Sequence, residues 1–240
     1  MKRYFMPLAA AVLCVLGLGS CRVFRFSPDL AEREVVTAEG ESVTKAFDSL
    51  PEFRAVEFSV PADISYSAGE CALSVTTAQN VLDKLDVRVD GDVLVVGLKP
   101  GVARLRNVKA FDVVLSSPEL RGVGIDGAAS FKAVSGVLSS EDFYIEVNGA
   151  GDLSLASLRA ADVGIEINGA GNVTVAGVDC TDIDIEINGA SSCTVAGKAV
   201  SASAEINGAG DIDLSGLDTR ELDSSVNGIG SIKRPKGLSR

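Results

Sequence analysis

Val163-Gly164-Ile165-Glu166-Ile167-Asn168-Gly169-Ala170-Gly171-Asn172-Val173-Thr174-Val175 is the stretch that decides the fold. Apolar side chains alternate with polar or small ones on both sides of a small-residue turn, which marks two half-buried β-strands. The unit recurs. Asn-Gly stands at 148–149, 168–169, 188–189, 207–208 and 227–228, with spacings of 20, 20, 19 and 20 residues. A looser copy, Gly122-Val123-Gly124-Ile125 followed by Asp126-Gly127-Ala128-Ala129, precedes them. So short a repeat has no room for a crossover helix, and equivalent residues return at a nearly constant increment, so the units should stack as coils. The expected fold is all-β: a parallel β-helix (β-solenoid) with coils of about 20 residues in the C-terminal half and less regular coils in the N-terminal half. The competing reading is an antiparallel meander with Asn-Gly in type I′ hairpin turns.

Stacking makes specific demands. Ile145, Ile165, Ile185 and Ala204 should form one interior column, and Val147, Ile167, Ile187, Ile206 and Val226 the next. Leu153, Val173, Cys193, Ile212 and Ile232 should form a third across the turn. At the turn, Asn148, Asn168, Asn188, Asn207 and Asn227 are placed to form an amide ladder along the axis. Gly149, Gly169, Gly189, Gly208 and Gly228 complete this structural turn, with Gly169 and Gly171 expected to use φ > 0. Glu146, Glu166, Glu186 and Glu205 fall in one outward file, either a solvated acidic face or a weak divalent-cation site. Lys233-Arg234-Pro235-Lys236 closes the series with residues that oppose edge-to-edge pairing.

Outward from the repeats, residues 47–120 read as irregular strands continuing into residues 121–240, with Asn80-Val81-Leu82-Asp83-Lys84-Leu85 a turn or short helical piece. A packed β-sandwich over 47–120 is the alternative there. The N-terminus is a targeting segment: Lys2 and Arg3 precede an apolar run from about Met6 to Leu18, suited to a signal peptide and too short to span a bilayer. It ends in Leu18-Gly19-Ser20-Cys21, which resembles the bacterial lipobox, so residues 1–20 are expected to be removed and Cys21 lipidated. Residues 21–46 then read as the lipidated Cys and a tether. The mature chain keeps Cys71, Cys180 and Cys193, and the sequence leaves open whether any of them pair.

The composition narrows the chemistry. There are 22 Lys+Arg against 33 Asp+Glu, a net charge of −11, with no His and no Trp. Absence of His removes His-based triads and the commonest zinc ligand. The acidic balance opposes nucleic-acid binding. No metal site or cofactor is expected and no catalytic residue stands out, so the expectation is a protein that is not an enzyme. The alternative is a carbohydrate-active β-helix enzyme, a polysaccharide lyase or glycosidase using paired acids.

The order of segments, from the lipobox through Lys45-Ala46-Phe47-Asp48, Phe53-Arg54-Ala55-Val56, Asn80-Val81-Leu82-Asp83 and Asp90-Gly91-Asp92-Val93-Leu94 to the repeated Asn-Gly-Ala-Gly turns, resembles the head-GIN family of autotransporter-adhesin-like bacterial lipoproteins. The resemblance covers roughly residues 45–235. It implies a β-helix-like fold and a Bacteroidetes-type envelope protein, and it brings no catalytic residue. A literal Gly-Ile-Asn is absent; Gly124-Ile125-Asp126 is the nearest run. The expected function is that of a lipid-anchored envelope protein, in the outer membrane, presenting a solenoid surface to an unknown protein or glycan.

Overall fold

The computed structural model describes residues 34–236 and Leu238. The signal peptide and Cys21 lie outside the described residues. The first elements are β1 (Glu34–Thr37), β2 (Ser42–Ala46), β3 (Ala55–Phe58), β4 (Asp63–Ala68) and β5 (Ala72–Ala78). A one-turn helix, α1 (Gln79–Leu82), leads to β6 (Leu85–Asp90), β7 (Val93–Leu98), β8 (Val102–Arg106) and β9 (Asp112–Ser117). The repeats follow as β10 (Gly122–Ile125), β11 (Ser130–Ala133), β12 (Val137–Leu138), β13 (Phe143–Val147), β14 (Asp152–Leu155) and β15 (Leu158–Arg159). They end with β16 (Asp162–Ile167), β17 (Asn172–Ile187), β18 (Ser192–Ile206), β19 (Ala209–Asp218), β20 (Glu221–Val226) and β21 (Ile229–Lys233).

From residue 122 to 233 the chain makes about six solenoid turns. Every strand pairing within this span is parallel, which excludes the meander. Each coil has three sides. The first carries β10, β13, β16, Asp182–Ile187, Ser201–Ile206 and β20 in register. The second carries β11, β14, Asn172–Val175, Ser192–Val195, the start of β19 and β21. A short third side runs from β12 through β15 to the end of β19. The Asn-Gly turns form the corner between the first two sides.

The three interior columns stack as the periodicity requires up to the last coil, where Val226 keeps register with Ile206 but is 42% exposed and Ile232 keeps register with Ile212 but is only partly buried. Ile145, Ile165, Ile185 and Ala204 are consecutive partners, as are Val147, Ile167, Ile187 and Ile206, and then Leu153, Val173, Cys193 and Ile212; all are at most 2% exposed. Each Val, Leu or Ile in these columns contributes roughly 1.5–3 kcal/mol by leaving water. Phe58, Phe131 and Phe143 fill the interior near its start; toward the C-terminal end the first side instead carries Ala202 and Ala204, and Ser224 continues the Ala204 column. At that end Pro235 is buried and Arg234 donates to the Ser224 hydroxyl at 2.8 Å, so the tail crosses the end of the core.

The N-terminal half joins this solenoid, but not in chain order. β3 and β4 pair with β10 and β11 on one side and with β7 and β9 on the other, all parallel. The coil at 55–68 is therefore clamped between two coils that come later in the chain. Beyond β7 and β9 the pairing turns antiparallel, through β6 on one side and β5 then β2 on the other. Gly91, at φ +64°, makes the tight β6–β7 hairpin that Asp90-Gly91 signals. Val81 and Leu82 of α1 are buried at this end. Residues 34–46, expected as tether, instead form β1 and β2: Val36 is 5% exposed, and β1 pairs with β8 as a separate parallel ribbon. A tether reading rests on the absence of a period, and single strands of four or five residues are too short to show one.

Candidate functional site: the stacked turn corner

The corner is built by backbone hydrogen bonds as regular as those of the strands. Ala150, Ala170, Ala190, Ala209 and Ile229 each donate N–H to the carbonyl of the glycine one coil earlier, at 2.8–2.9 Å. This packing, not φ > 0, is why glycine recurs. Gly149, Gly169, Gly189, Gly208 and Gly228 lie outside the left-handed region, as do Gly171 and the ladder asparagines. A Cβ on Gly169 would instead collide with the carbonyl oxygen of Gly149, and the same clash repeats at each of the other four.

The asparagines form a continuous amide ladder. Nδ2 of Asn168 donates to Oδ1 of Asn148 at 2.9 Å, Asn188 to Asn168 at 2.9 Å, Asn207 to Asn188 at 3.1 Å and Asn227 to Asn207 at 3.0 Å. Asp126 is the first rung, accepting from Asn148 at 2.9 Å. Two residues before the first four asparagines runs the glutamate file, with Glu146, Glu166, Glu186 and Glu205 in direct register and Ser225 next to them in the last coil. Every one of these carboxylates accepts from a ladder amide, at 2.7 Å (Asn148 to Glu146), 2.8 Å (Asn168 to Glu166), 3.4 Å (Asn207 to Glu186) and 3.3 Å (Asn227 to Glu205). Tyr144 donates its hydroxyl to the second oxygen of Glu166 at 2.6 Å, and burial together with that carboxylate pushes the phenol pKa well up. Among the described residues no three His, Cys, Asp or Glu side chains are grouped to hold a metal ion, and the four carboxylates of the file serve as hydrogen-bond acceptors for the ladder.

A second polar file runs on the far side of the corner, four residues after each asparagine: Asp152, Asn172, Ser192, Asp211 and Ser231, continued by Ser130, Asp63 and Asp112. Asn172 donates Nδ2 to Asp152 at 2.8 Å, and Ser231 donates its hydroxyl to Asp211 at 2.6 Å. Between this file and the small turn residues lie two surface depressions on the same corner. One, of about 720 Å³, spans Ala128–Ser130, Ala150 and Asp152 and is walled by Leu105 to Asp112; the other, of about 380 Å³, spans Ala170–Asn172, Ala190–Ser192 and Ala209–Asp211. The second file was readable in principle, since its +4 offset from Asn-Gly is constant, but its mixed Asp, Asn and Ser identities hid it. The wall at 105–112 comes from a different part of the chain and has no signal in the repeat.

Among the described residues Cys71, Cys180 and Cys193 are free: Cys193 fills its interior column, with its thiol pushed up to about 12 by burial, and Cys180 reaches about 12 through burial and the nearby Asp162, Asp182 and Asp179. Neither is a nucleophile at neutral pH. Among the described residues no helix is long and apolar enough to cross a membrane.

A three-sided stack of in-register coils with polar files along one corner defines a β-solenoid protein. The chain belongs to the family described as "putative auto-transporter adhesin, head GIN domain", whose pattern it matches twice, over residues 52–178 and 156–234. Among solved structures it is similar to a "putative adhesin" from Parabacteroides distasonis (23% identity, 83% of this chain and 84% of that chain, TM-score 0.75) and to another from Bacteroides fragilis (18% identity, 82% and 99%, TM-score 0.67). It is also similar to a "putative lipid binding protein" from Parabacteroides distasonis (20% identity, 85% and 100%, TM-score 0.62). At these identities the likeness concerns the fold. No functionally curated protein matches the chain.

Proposed function

We propose that this chain is a cell-envelope adhesin, held by a lipid on Cys21, that binds an extended protein or glycan along the Asn-Gly corner without turning it over. The observation that carries this reading is the corner itself. Hydrogen-bonding side chains of the Asp152-Asn172-Ser192-Asp211 file repeat once per coil, about 4.8 Å apart, beside an open floor of Ala and Gly. Such a surface offers one set of donors and acceptors per coil to a polymer lying along the axis, and its rigidity lowers the ordering cost of binding. The family's adhesin description points to the cell surface or envelope, and the Leu18-Gly19-Ser20-Cys21 sequence supplies the anchor.

The test is capture of envelope polysaccharides and surface proteins by the purified protein, compared with the triple variant Asp152→Ala, Asn172→Ala, Asp211→Ala. Tenfold or greater loss of the captured ligand is expected, on the order of what losing two or three hydrogen bonds would cause. Undiminished capture would move the site elsewhere on the solenoid. Incorporation of radiolabelled palmitate that disappears in Cys21→Ala tests the anchor separately.

A further inference from the structure

Charge is distributed unevenly between the regular coils and the N-terminal cap, made of the elements beyond β7 and β9 (β2, β5 and β6), α1 and the β1–β8 ribbon. Residues 122–233 hold 5 Lys+Arg against 17 Asp+Glu, a balance of 5 − 17 = −12. Residues 99–109, Lys-Pro-Gly-Val-Ala-Arg-Leu-Arg-Asn-Val-Lys, hold four cations and no carboxylate. This stretch contains β8, one half of the two-stranded ribbon. Alternation sends Val36 and Leu105 toward the core and leaves Arg104 and Arg106 on the outer face, paired in register with Val35 and Thr37. Lys99 and Lys109 flank the ribbon, both exposed. Ion pairs of the described residues join Lys84 to Glu34, Arg88 to Asp86, Arg121 to Asp92, Arg159 to Asp179 and Lys233 to Asp213; none uses these four cations. Even Glu34, on the same ribbon, is held by Lys84 at 2.7 Å.

The chain leading to Cys21 departs from this ribbon. Twelve residues, 22–33, separate Cys21 from Glu34, so the outer face of β1 and β8 lies within about 45 Å of the lipidation site even at full extension. We propose that this face, through Arg104, Arg106, Lys99 and Lys109, docks on the anionic phospholipid headgroups of the membrane that holds the anchor, so that the acidic coils point away from the bilayer. Guanidinium groups pair with phosphate oxygens in a fork geometry, and each cation at an anionic surface strengthens attachment about fivefold. The same surface repels the coils, whose charge has the opposite sign, so one electrostatic field both attracts the cap and orients the stack. The inference rests on the lipid-anchor reading given above.

The experiment uses the mature protein, purified from envelopes and reconstituted into vesicles of phosphatidylcholine alone or with about one-third phosphatidylglycerol. Lysine acetylation by a neutral succinimidyl ester is read residue by residue by mass spectrometry. On anionic vesicles Lys99 and Lys109 should react several-fold more slowly than on neutral ones, while Lys132 and Lys198 on the coils keep their rates. The double variant Arg104→Glu, Arg106→Glu, altered only on an exposed face, should lose the protection. Added salt at about 0.5 M should remove it as well, because screening shortens the reach of the field to a few ångströms. Equal protection on neutral vesicles would mean that tethering alone brings the ribbon close, and protection in vesicle-free solution would mean that a second copy covers it; either overturns the proposal. Flotation on phosphatidylcholine vesicles reads the anchor independently. A protein that fails to float there but is protected on anionic vesicles has lost the anchor reading and kept the headgroup contact.

Discussion

The regular coils and the N-terminal coils bury the same kinds of side chain behind the same parallel ladders, yet they are held together differently. Between residues 122 and 233 coils that follow one another in the chain are also neighbours in the stack. Stability there is a sum of neighbour terms, and the far end can open one coil at a time. The coil at 55–68 instead lies between 93–117 and 122–133, and Arg121 ties the join by bonding Asp92 at 2.6 Å. It can leave only if both neighbours part. Identical local physics thus gives graded opening in one region and all-or-none opening in the other.

The most disruptive test of this contrast is Phe58→Ala. Phe58 is fully buried in the clamped coil, so the cavity should cost about 3–5 kcal/mol and lower the exchange protection of β3, β4, β7, β9 and β10 together. Hydrogen exchange showing loss in β3 and β4 alone would erase the distinction. Next in size is Gly169→Ala, for which overpacking against the Gly149 carbonyl should cost about 2–3 kcal/mol and loosen coils near the substitution while sparing the cap. Denaturant unfolding followed by exchange separates these outcomes. Asn168→Ala removes three side-chain hydrogen bonds at an exposed position, and about 1–2 kcal/mol of destabilisation is expected. An unchanged denaturation midpoint would leave the amide ladder as ornament.

Ser191 replaces the second turn glycine in one coil, and its buried hydroxyl has no hydrogen-bond partner. Ser191→Ala should therefore raise stability, by about 1 kcal/mol, read as a small upward shift in Tm. The gentlest test is acid. Asp213 is held down at about 2 by the Ser215 hydroxyl and by Lys233, the residue that ends β21. A depressed carboxyl adds stability that is complete above its unfolded pKa of about 4 and is lost as pH falls through its folded value. Protection of residues 229–233, taken relative to the intrinsic amide exchange rate at each pH, should thus fall between pH 4 and pH 2, with the clamped coil unmoved, and Asp213→Asn should already show the acid behaviour at neutral pH.

Sequence periodicity carried the regular half well because a solenoid repeats one environment: three apolar columns, the ladder asparagines and the glutamate file all follow from one 20-residue period. It misassigned the reason for glycine, since a Cβ clash with the neighbouring coil involves residues 20 apart, whereas left-handed turn rules concern only the local chain. The N-terminal half was legible as strands but not as an order of strands. Nothing in Ala55–Phe58 or Val93–Leu98 states which will lie between which, because both present the same alternating face. The polar file from Asp152 to Ser231 and the wall at 105–112 were hidden for related reasons, one by variable chemistry at a fixed offset, the other by distance along the chain.

The out-of-order threading sets a schedule for assembly. A chain emerging amino-terminus first presents residues 55–68 long before either partner coil exists, so that segment must wait, unpaired on both edges until residues 93–117 have appeared and on one edge until about residue 133. After that point each newly emerging period finds a finished template and can dock as it arrives. Lengthening the protein by duplicating a period would leave the early wait unaltered, whereas any insertion between residues 68 and 122 would prolong it.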